Sequence, residues 1–174
     1  TLVLGGAKID TKLGLIDQFL SKADYIIIGG GMAFTFLKAK GKEVGGSLVD
    51  ENMIQMAKKI INKARVQNVK LLLPKDVICG QNLDDDVAKG HCEINSIPED
   101  LMGLDIGPQT LSEYKSILGK SKTIVWNGPM GVFEKISFES GTREMGIHLV
   151  SCIANGSKVI VGGGDTASAL ERFN

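Results

Sequence analysis

Short runs of apolar residues alternate along this chain with longer segments in which apolar residues recur every three or four positions. The short runs predict strands buried on both faces, since unbroken apolar stretches of this length are typical of parallel sheets; they cover residues 2–4, 25–28, 69–73, 104–106, 123–126 and 159–161. The longer segments predict helices, which cover residues 12–22, 32–40, 50–67, 108–118, 139–154 and the chain from 166 onward. Asp50 is the expected N-cap of the third helix.

This alternation indicates the fold class. Strands that alternate with helices form right-handed β-α-β units, which build a parallel sheet covered by helices on both faces. We therefore expect an α/β protein, a three-layer αβα sandwich with a mostly parallel, Rossmann-like sheet. Residues 74–98 are less regular, and two short runs there (77–79 and 91–94) predict a small β excursion. With no repeat and no low-complexity linker, residues 1–174 are interpreted as one domain.

Four of the predicted strands end abruptly in glycine, at Gly5, Gly29, Gly128 and Gly162. A glycine junction before a helix can present backbone N–H groups to an anion, because no Cβ stands in the way. Open α/β folds bind their ligands at the carboxyl ends of the strands, where all four junctions would meet. The pattern predicts a pocket for a phosphorylated ligand, most simply a nucleotide.

Composition narrows the possible partners. Twenty basic and twenty acidic residues give a net charge of zero, so no bulk attraction to nucleic acid or to an anionic membrane is expected. No apolar run approaches the ~18 residues of a membrane-spanning helix. Cys79, Cys92 and Cys152 are odd in number and lack CxxC spacing, which favours free thiols in a reducing compartment.

Two common nucleotide motifs fail. Gly119-Lys120-Ser121 could end a Walker A loop, but Tyr114 stands where its first glycine is required. Residues 29–34 begin like a dinucleotide fingerprint, but Phe34 replaces the third glycine and no acidic residue ends the next strand.

Metal clusters are not indicated either. His91, Cys92 and Glu93 are adjacent, so on a strand they alternate between faces. Residues 84–86, all aspartate, lack the alternating ligands of a calcium loop and are interpreted as a solvated turn. His148 is mid-helix with no partner in view, which favours an ordinary surface or core histidine.

Three junctions carry side chains suited to a nucleotide. If a helix begins near Lys8, Lys8 and Lys12 lie on one face beside free amides, which suits a polyphosphate, although two solvated lysines remain an alternative. Asp165 precedes Thr166 at a helix start, where it is either a simple cap or a Mg²⁺ ligand. In residues 126–134, Pro129 and Val132 can wall a flat base and Glu134 can accept hydrogen bonds from ribose hydroxyls.

Five segments of the sequence resemble the nucleotide-binding, C-terminal domain of the phosphoglycerate kinase family. They are LGGAK (4–8) followed by Lys12, IIIGGGMAFTF (26–36), GLDIGP (103–108), TIVWNGPMGVFE (123–134) and VGGGDTA (161–167). They occur in the family's order and span most of the chain. The resemblance implies transfer of a phosphoryl group between 1,3-bisphosphoglycerate and MgADP, which yields 3-phosphoglycerate and MgATP in glycolysis.

The resemblance also implies residue roles. An adenosine site is implied for Gly6, Ala7, Gly29, Gly30, Leu48, Gly103, Leu104, Pro129 and Val132. Glu134 would bind the ribose and Asp165 would hold Mg²⁺. Phosphate contacts are implied for Lys8, Lys12, Asn127, Gly162, Gly163, Gly164 and Thr166. The catalytic residues would be Lys12, Lys8, Gly163 and Gly164, with Lys12 stabilising the migrating group.

Two departures from the family pattern limit the expectation. Thr11 stands where the family often has an acidic residue. The N-terminal domain, which binds 3-phosphoglycerate, lies outside this sequence, so we expect an incomplete domain, truncated at both ends and inactive alone. Two alternatives stay open: a non-catalytic nucleotide-binding module and a dinucleotide-dependent oxidoreductase domain. The whole protein is expected to be cytoplasmic and monomeric.

Overall fold

The structure, a computed structural model, describes residues 1–173. A sheet of five parallel strands forms its centre, in the order β3-β2-β1-β7-β8. Numbered in chain order, these strands are β1 (Leu2–Leu4), β2 (Tyr25–Ile28), β3 (Lys70–Leu72), β7 (Thr123–Asn127) and β8 (Lys158–Gly162). β1 lies at the centre, where Val3 pairs with Ile27 on one side and with Trp126 on the other.

Six helices cover the two faces of this sheet. They are α1 (Leu13–Phe19), α2 (Met32–Ala39), α3 (Ile54–Val66), α4 (Pro108–Leu118), α5 (Ser140–Ala154) and α6 (Gly164–Arg172). Successive strand residues point to opposite faces: Leu2 and Leu4 pack with α1, α2 and α3, whereas Val3 packs with α4 and α5. The predicted three-layer sandwich is confirmed.

A second, antiparallel sheet of three strands lies beside the first, in the order β5-β4-β6. It contains β4 (Asp76–Gly80), β5 (Gly90–Glu93) and β6 (Met102–Ile106). The predicted β excursion is therefore confirmed, but β6 is longer than expected and pairs antiparallel with β4. The alternation of strands and helices in the sequence does not reveal this antiparallel pairing, because it depends on the tertiary contact between β6 and β4.

The helix starts differ in detail from the predictions. Asp50 caps its helix as expected, since its Oδ1 accepts a hydrogen bond from Asn52 N at 3.1 Å. α1 begins at Leu13, after a 3-10 turn over Asp10–Lys12, and ends at Phe19, so it is shorter than predicted. α6 begins at Gly164, two residues before the predicted start.

Among residues 1–173, no helix is long and apolar enough to cross a membrane. All three cysteines are free, as predicted; Cys79 and Cys152 are buried and Cys92 is partly buried. Burial and the neighbouring Cys92 raise the pKa of the Cys79 thiol to about 12. The thiol of Cys79 is therefore protonated at neutral pH.

Candidate functional site

A pocket of about 280 Å³ opens at the carboxyl edge of the parallel sheet. The ends of β1 and β2 form its floor, β6 and the loop after β7 form two walls, and the first turn of α6 reaches it at Asp165. Its surface is mainly apolar, with Glu134 and Asp165 among the acidic residues that line it. The predicted strand ends therefore converge on a single concave site.

Ten of the predicted nucleotide-site residues line this pocket. The first two junctions and the loop before α3 contribute Gly6, Ala7, Gly30 and Leu48. β6, the loop after β7 and α6 contribute Gly103, Leu104, Pro129, Val132, Glu134 and Asp165. Eight predicted residues do not line it: Lys8, Lys12, Gly29, Asn127, Gly162, Gly163, Gly164 and Thr166.

The junctions after β1 and β2 are closed by the protein itself. Gly6 N donates to Pro129 O at 2.8 Å and Gly30 N donates to Met130 O at 3.0 Å. Gly29 N likewise donates to Leu4 O at 2.8 Å. The expectation of free amides is therefore wrong for Gly6, Gly29 and Gly30, because the loop after β7 accepts the hydrogen bonds of Gly6 and Gly30 and the end of β1 accepts that of Gly29.

Glycine is required here for close packing. Gly30 has φ +63°, and a Cβ on it would lie 2.6 Å from Gly6 O and 2.9 Å from Pro129 O. Distances of this kind are steric overlaps, so no larger residue fits without movement of the backbone. The glycines of the first two junctions let three chain segments pass one another beneath the pocket.

Buried hydroxyls hold the loop after β7 from below. Gly128 N donates to Thr166 Oγ1 at 2.7 Å, and Met130 N donates to Thr142 Oγ1 at 3.0 Å. Both threonine residues are fully buried. The side chain of Thr166 therefore supports the loop, and because the whole residue is buried, the structure does not expose it to a phosphate as the sequence predicted.

The junction after β8 is open. Gly163 is the N-cap of α6 and has φ +89°, and no side chain caps this helix within the described part of the chain. Because the first amides of a helix have no partner inside it, those of Gly164 and Asp165, which are exposed, are available to an anion, whereas Thr166 is buried. Asp165 lies inside the first turn rather than at the cap, which rules out the simple capping alternative.

A lysine and an amide side chain lie next to this open helix end. Lys12 Nζ donates to Asn127 Oδ1, and a Cβ placed on Gly163 would lie 3.1 Å from that same oxygen. Lys12, Asn127 and Gly163 therefore form a polar cluster (the phosphate-end cluster below), and Asp165 two residues on connects it to the apolar pocket. Lys12 and Asn127 are 115 residues apart in sequence, and Asn127 and Gly163 are 36 residues apart, but the fold makes them neighbours.

Lys8 is placed differently from the expectation. It is exposed and precedes α1 by five residues, so no helix begins at it and it does not share a helix face with Lys12. A turn holds this segment instead, in which Lys8 O accepts a hydrogen bond from Thr11 Oγ1 at 3.1 Å.

The sequence interpretation missed several residues of the site. Phe34 of α2, Leu83 of the turn between β4 and β5, and Phe133 also line the pocket. Leu83 is 54% exposed, an unusual position for a leucine next to three aspartate residues. An apolar residue inside a polar turn was the signal that could have revealed it.

Asp105 is the most unusual ionisable group of the site. It is 3% exposed, and its two oxygens accept hydrogen bonds from Gly141 N at 2.6 Å and Ile106 N at 2.9 Å. Burial raises the pKa of Asp105 to about 8, against the two amide hydrogen bonds, which favour the carboxylate. The residue fastens the start of α5 to β6 beneath the pocket.

The donor set suits a metal ion only when a ligand supplies further oxygens. Within residues 1–173, no group of three or more His, Cys, Asp or Glu side chains could hold a metal ion. Mg²⁺ in particular is often bound through one or two carboxylates together with substrate phosphate oxygens. Asp165, beside open helix amides, fits that arrangement.

The architecture and the position of the pocket together define the class of protein, an open α/β domain with its ligand site outside the carboxyl ends of parallel strands. Comparison with known proteins gives the family. The family model described as phosphoglycerate kinase matches residues 1–174. The chain belongs to the phosphoglycerate kinase family.

Curated relatives agree with this assignment. The phosphoglycerate kinase of Prosthecochloris aestuarii is 48% identical over 168 residues, which cover 97% of this chain and 42% of the relative. The phosphoglycerate kinase of Bifidobacterium adolescentis is 49% identical over 176 residues, covering 99% of this chain and 44% of the relative. The chain thus spans less than half the length of these relatives.

Solved structures agree on the fold. Phosphoglycerate kinase from Coxiella burnetii matches with a TM-score of 0.91 at 40% identity, covering 99% of this chain and 44% of that one. Phosphoglycerate kinase from Pyrococcus horikoshii matches with a TM-score of 0.78 at 26% identity, again covering 99% of this chain and 44% of that one.

Proposed function

We propose that this chain is the nucleotide-binding part of a phosphoglycerate kinase and that residues 1–174 form a single domain. The whole enzyme would transfer a phosphoryl group between 1,3-bisphosphoglycerate and MgADP, giving 3-phosphoglycerate and MgATP in glycolysis. One observation carries the proposal: an apolar pocket meets an uncapped helix N-terminus, a lysine and a carboxylate at the edge of one sheet. An apolar base and a charged polyphosphate need these two kinds of surface side by side.

The apolar pocket would hold the nucleoside. Leu104, Pro129 and Val132 supply flat apolar walls that exclude water from the base, and Leu48, 47% exposed at the rim, would become buried on binding. Gly6, Ala7, Gly30 and Gly103 would let the base approach the backbone, with Gly29 packed beneath them. Glu134 would accept hydrogen bonds from the ribose hydroxyls.

The phosphate-end cluster would hold the polyphosphate. Asn127 positions the Lys12 ammonium group, and the amides of Gly163 and Gly164 would add the positive end of the α6 dipole. Gly162 and Lys8 would make further contacts with the phosphates. Phosphoryl transfer requires mainly positioning and charge neutralisation. Lys12 would therefore stabilise the migrating group directly, with Lys8, Gly163 and Gly164 as the other catalytic residues.

Asp165 would hold Mg²⁺. The bound ion would neutralise charge on the phosphate oxygens. The carboxylate itself keeps the cation at the first turn of α6, close to both the pocket and the phosphate-end cluster.

The remaining partners belong to the whole protein. Its 3-phosphoglycerate would be bound by the N-terminal domain, and this chain alone would bind ADP or ATP without turnover. The whole protein would be a cytoplasmic monomer with no nucleic-acid or membrane partner, in keeping with a glycolytic role; the net charge of zero of this chain fits the absence of such partners. Thr11 would slightly change the field around Lys12.

Calorimetric titration of the chain with MgADP tests the proposal. We expect saturable binding, weakened at least tenfold in Lys12→Met because a charge-assisted contact is lost. Lys158→Met is the matched control, since Lys158 begins β8 at the opposite edge of the sheet. Asp165→Asn should remove the difference in affinity between MgADP and ADP in EDTA, whereas Asp24→Asn, just before β2, should keep it.

The outcomes separate the alternatives. A folded chain that shows no heat at millimolar MgADP contradicts the proposal, and preferential binding of NADH would favour an oxidoreductase domain instead. In the whole protein, Lys12→Ala should cut turnover strongly with the fold intact. Normal turnover would contradict the catalytic role of Lys12. An unaltered whole protein that binds MgADP but shows no turnover would instead favour a non-catalytic nucleotide-binding module.

A further inference from the structure

The turn between β4 and β5 is ordered by its own side chains. Asp85 Oδ2 accepts hydrogen bonds from Gln81 N at 2.5 Å and Asn82 N at 3.3 Å, and Asn82 Oδ1 accepts one from Asp84 N at 2.9 Å. These local bonds favour one turn conformation over others. The sequence predicts that the three aspartate residues only form a solvated turn. In the structure, their side chains and backbone also order that turn.

The turn is fastened to the segment that follows Glu134. Lys135 Nζ donates to Asp86 Oδ1 at 2.7 Å and to Asp84 O at 3.1 Å, and Ser137 Oγ donates to Asp86 O at 2.8 Å. The hydrogen bond to Asp86 raises the pKa of Lys135, so the ammonium group stays charged. We call these three contacts the rim clamp.

Both segments joined by the clamp reach the pocket. Leu83 lines it from the turn, one residue before Asp84, and Glu134 lines it from the other wall, one residue before Lys135. The clamp thus connects two walls that are 51 residues apart in sequence. Both walls lie at the nucleoside end of the proposed site, away from the phosphate-end cluster of Lys12, Asn127 and Gly163.

We propose that Lys135 is a positioning residue: through the rim clamp it sets the distance between the Leu83 wall and the Glu134 wall and so controls affinity for the nucleoside part of a nucleoside diphosphate. This rests on the proposed function, because it takes the pocket as the nucleoside site. Lys135 itself does not line the pocket. Its loss weakens recognition of the nucleoside and leaves the phosphate end unchanged.

The test compares MgADP with magnesium pyrophosphate in the same chain. In Lys135→Met we expect the Kd for MgADP to rise about fivefold to tenfold, a change of the size that a charged hydrogen bond supplies, and the Kd for magnesium pyrophosphate to stay the same. Lys135→Arg keeps a cation with several donors and should restore most of the affinity. A general loss of structure would affect both ligands and would not be rescued.

Lys63→Met is the matched control. Lys63 pairs with Asp17 at 2.7 Å, the same length as the Lys135–Asp86 pair, but joins α3 to α1. We expect it to change neither affinity. Amide hydrogen exchange gives a readout that needs no ligand: residues 82–87 should exchange faster in Lys135→Met and not in Lys63→Met.

The results separate the inference from the proposed function. Unchanged MgADP affinity in Lys135→Met overturns the inference, as does an equal loss of pyrophosphate affinity. If the unaltered chain binds no MgADP, the proposed function fails. In that case the exchange measurement still shows whether Lys135 holds the turn.

Discussion

The junctions after β1 and β2 and the junction after β8 share one sequence pattern, an apolar run that ends in two or three glycines. The first two are closed: the amides of Gly6 and Gly30 donate to the loop after β7, and Gly30 has no room for a side chain. The third is open: α6 is uncapped and Gly164 has no atom within 4 Å of an added Cβ. The comparison teaches that glycine serves packing in one place and ligand access in the other.

The closed junction should be the most sensitive to substitution. Gly30→Ala combines φ +63° with overlap against Gly6 O, so we expect a loss of about 3 kcal/mol or more in the free energy of unfolding, measured by chemical denaturation. Gly6→Ala is the graded control, because Gly6 has φ +85° but open space around it. It should cost about 1–2 kcal/mol, from backbone strain alone. Equal losses in the two variants would show that packing is not the cause.

The free energy of unfolding should also depend on pH through Asp105. Its pKa is about 8 when folded and near 4 when unfolded, so between these values the folded chain keeps a proton that the unfolded chain has lost. The contribution of Asp105 to the free energy of unfolding is then fully present below pH 4 and is lost as pH rises toward 8, by about 1.4 kcal/mol per unit. Asp105→Asn lacks this contribution, so its denaturation curves should change less between pH 5 and 8.

Asp17→Asn, at an exposed position, is the control for the Asp105 experiment and should keep the pH slope of the unaltered chain. The ¹³C shift of the Asp105 carboxyl group gives a second measurement in the unaltered chain. A midpoint near pH 4 would contradict the prediction.

A smaller effect is expected from the hydroxyl that supports the loop after β7. Thr142→Val keeps the shape but leaves Met130 N without its acceptor in a buried position, which should cost about 1–2 kcal/mol. Thr142→Ser keeps the acceptor and should recover most of that loss. If valine and serine are equally tolerated, the hydrogen bond does not hold the loop.

The open junction should show the smallest effect on stability. Gly164→Ala, at the first residue of α6, should leave the free energy of unfolding within about 0.5 kcal/mol. It should nevertheless weaken MgADP binding, because the new methyl group enters the space beside the open amides. A variant that lost stability but kept its affinity would reverse the assignment of open and closed junctions.

Most of the fold could be predicted from the sequence, because buried strands and amphipathic helices carry distinct periodicities. The run at Tyr25–Ile28 and the cap at Asp50 are local features, and both are confirmed. β6 was placed only approximately, since its antiparallel pairing with β4 is a contact between distant segments. The predicted start of α1 is wrong, because a 3-10 turn after Lys8 resembles a helix start in sequence.

For the site, the sequence by itself determined the chemistry: glycine at the strand ends, lysine after the first strand, and a carboxylate at the last helix. These follow from residue identity and chain order. Only the tertiary structure decided which glycine amides are occupied and which are open, that Leu83 lines the pocket, and that Lys135 fastens the turn of Leu83 to the opposite wall. The physical reason is that a backbone amide donates to whichever acceptor the fold brings near it, and for Gly6 that acceptor, Pro129 O, lies 123 residues away in sequence.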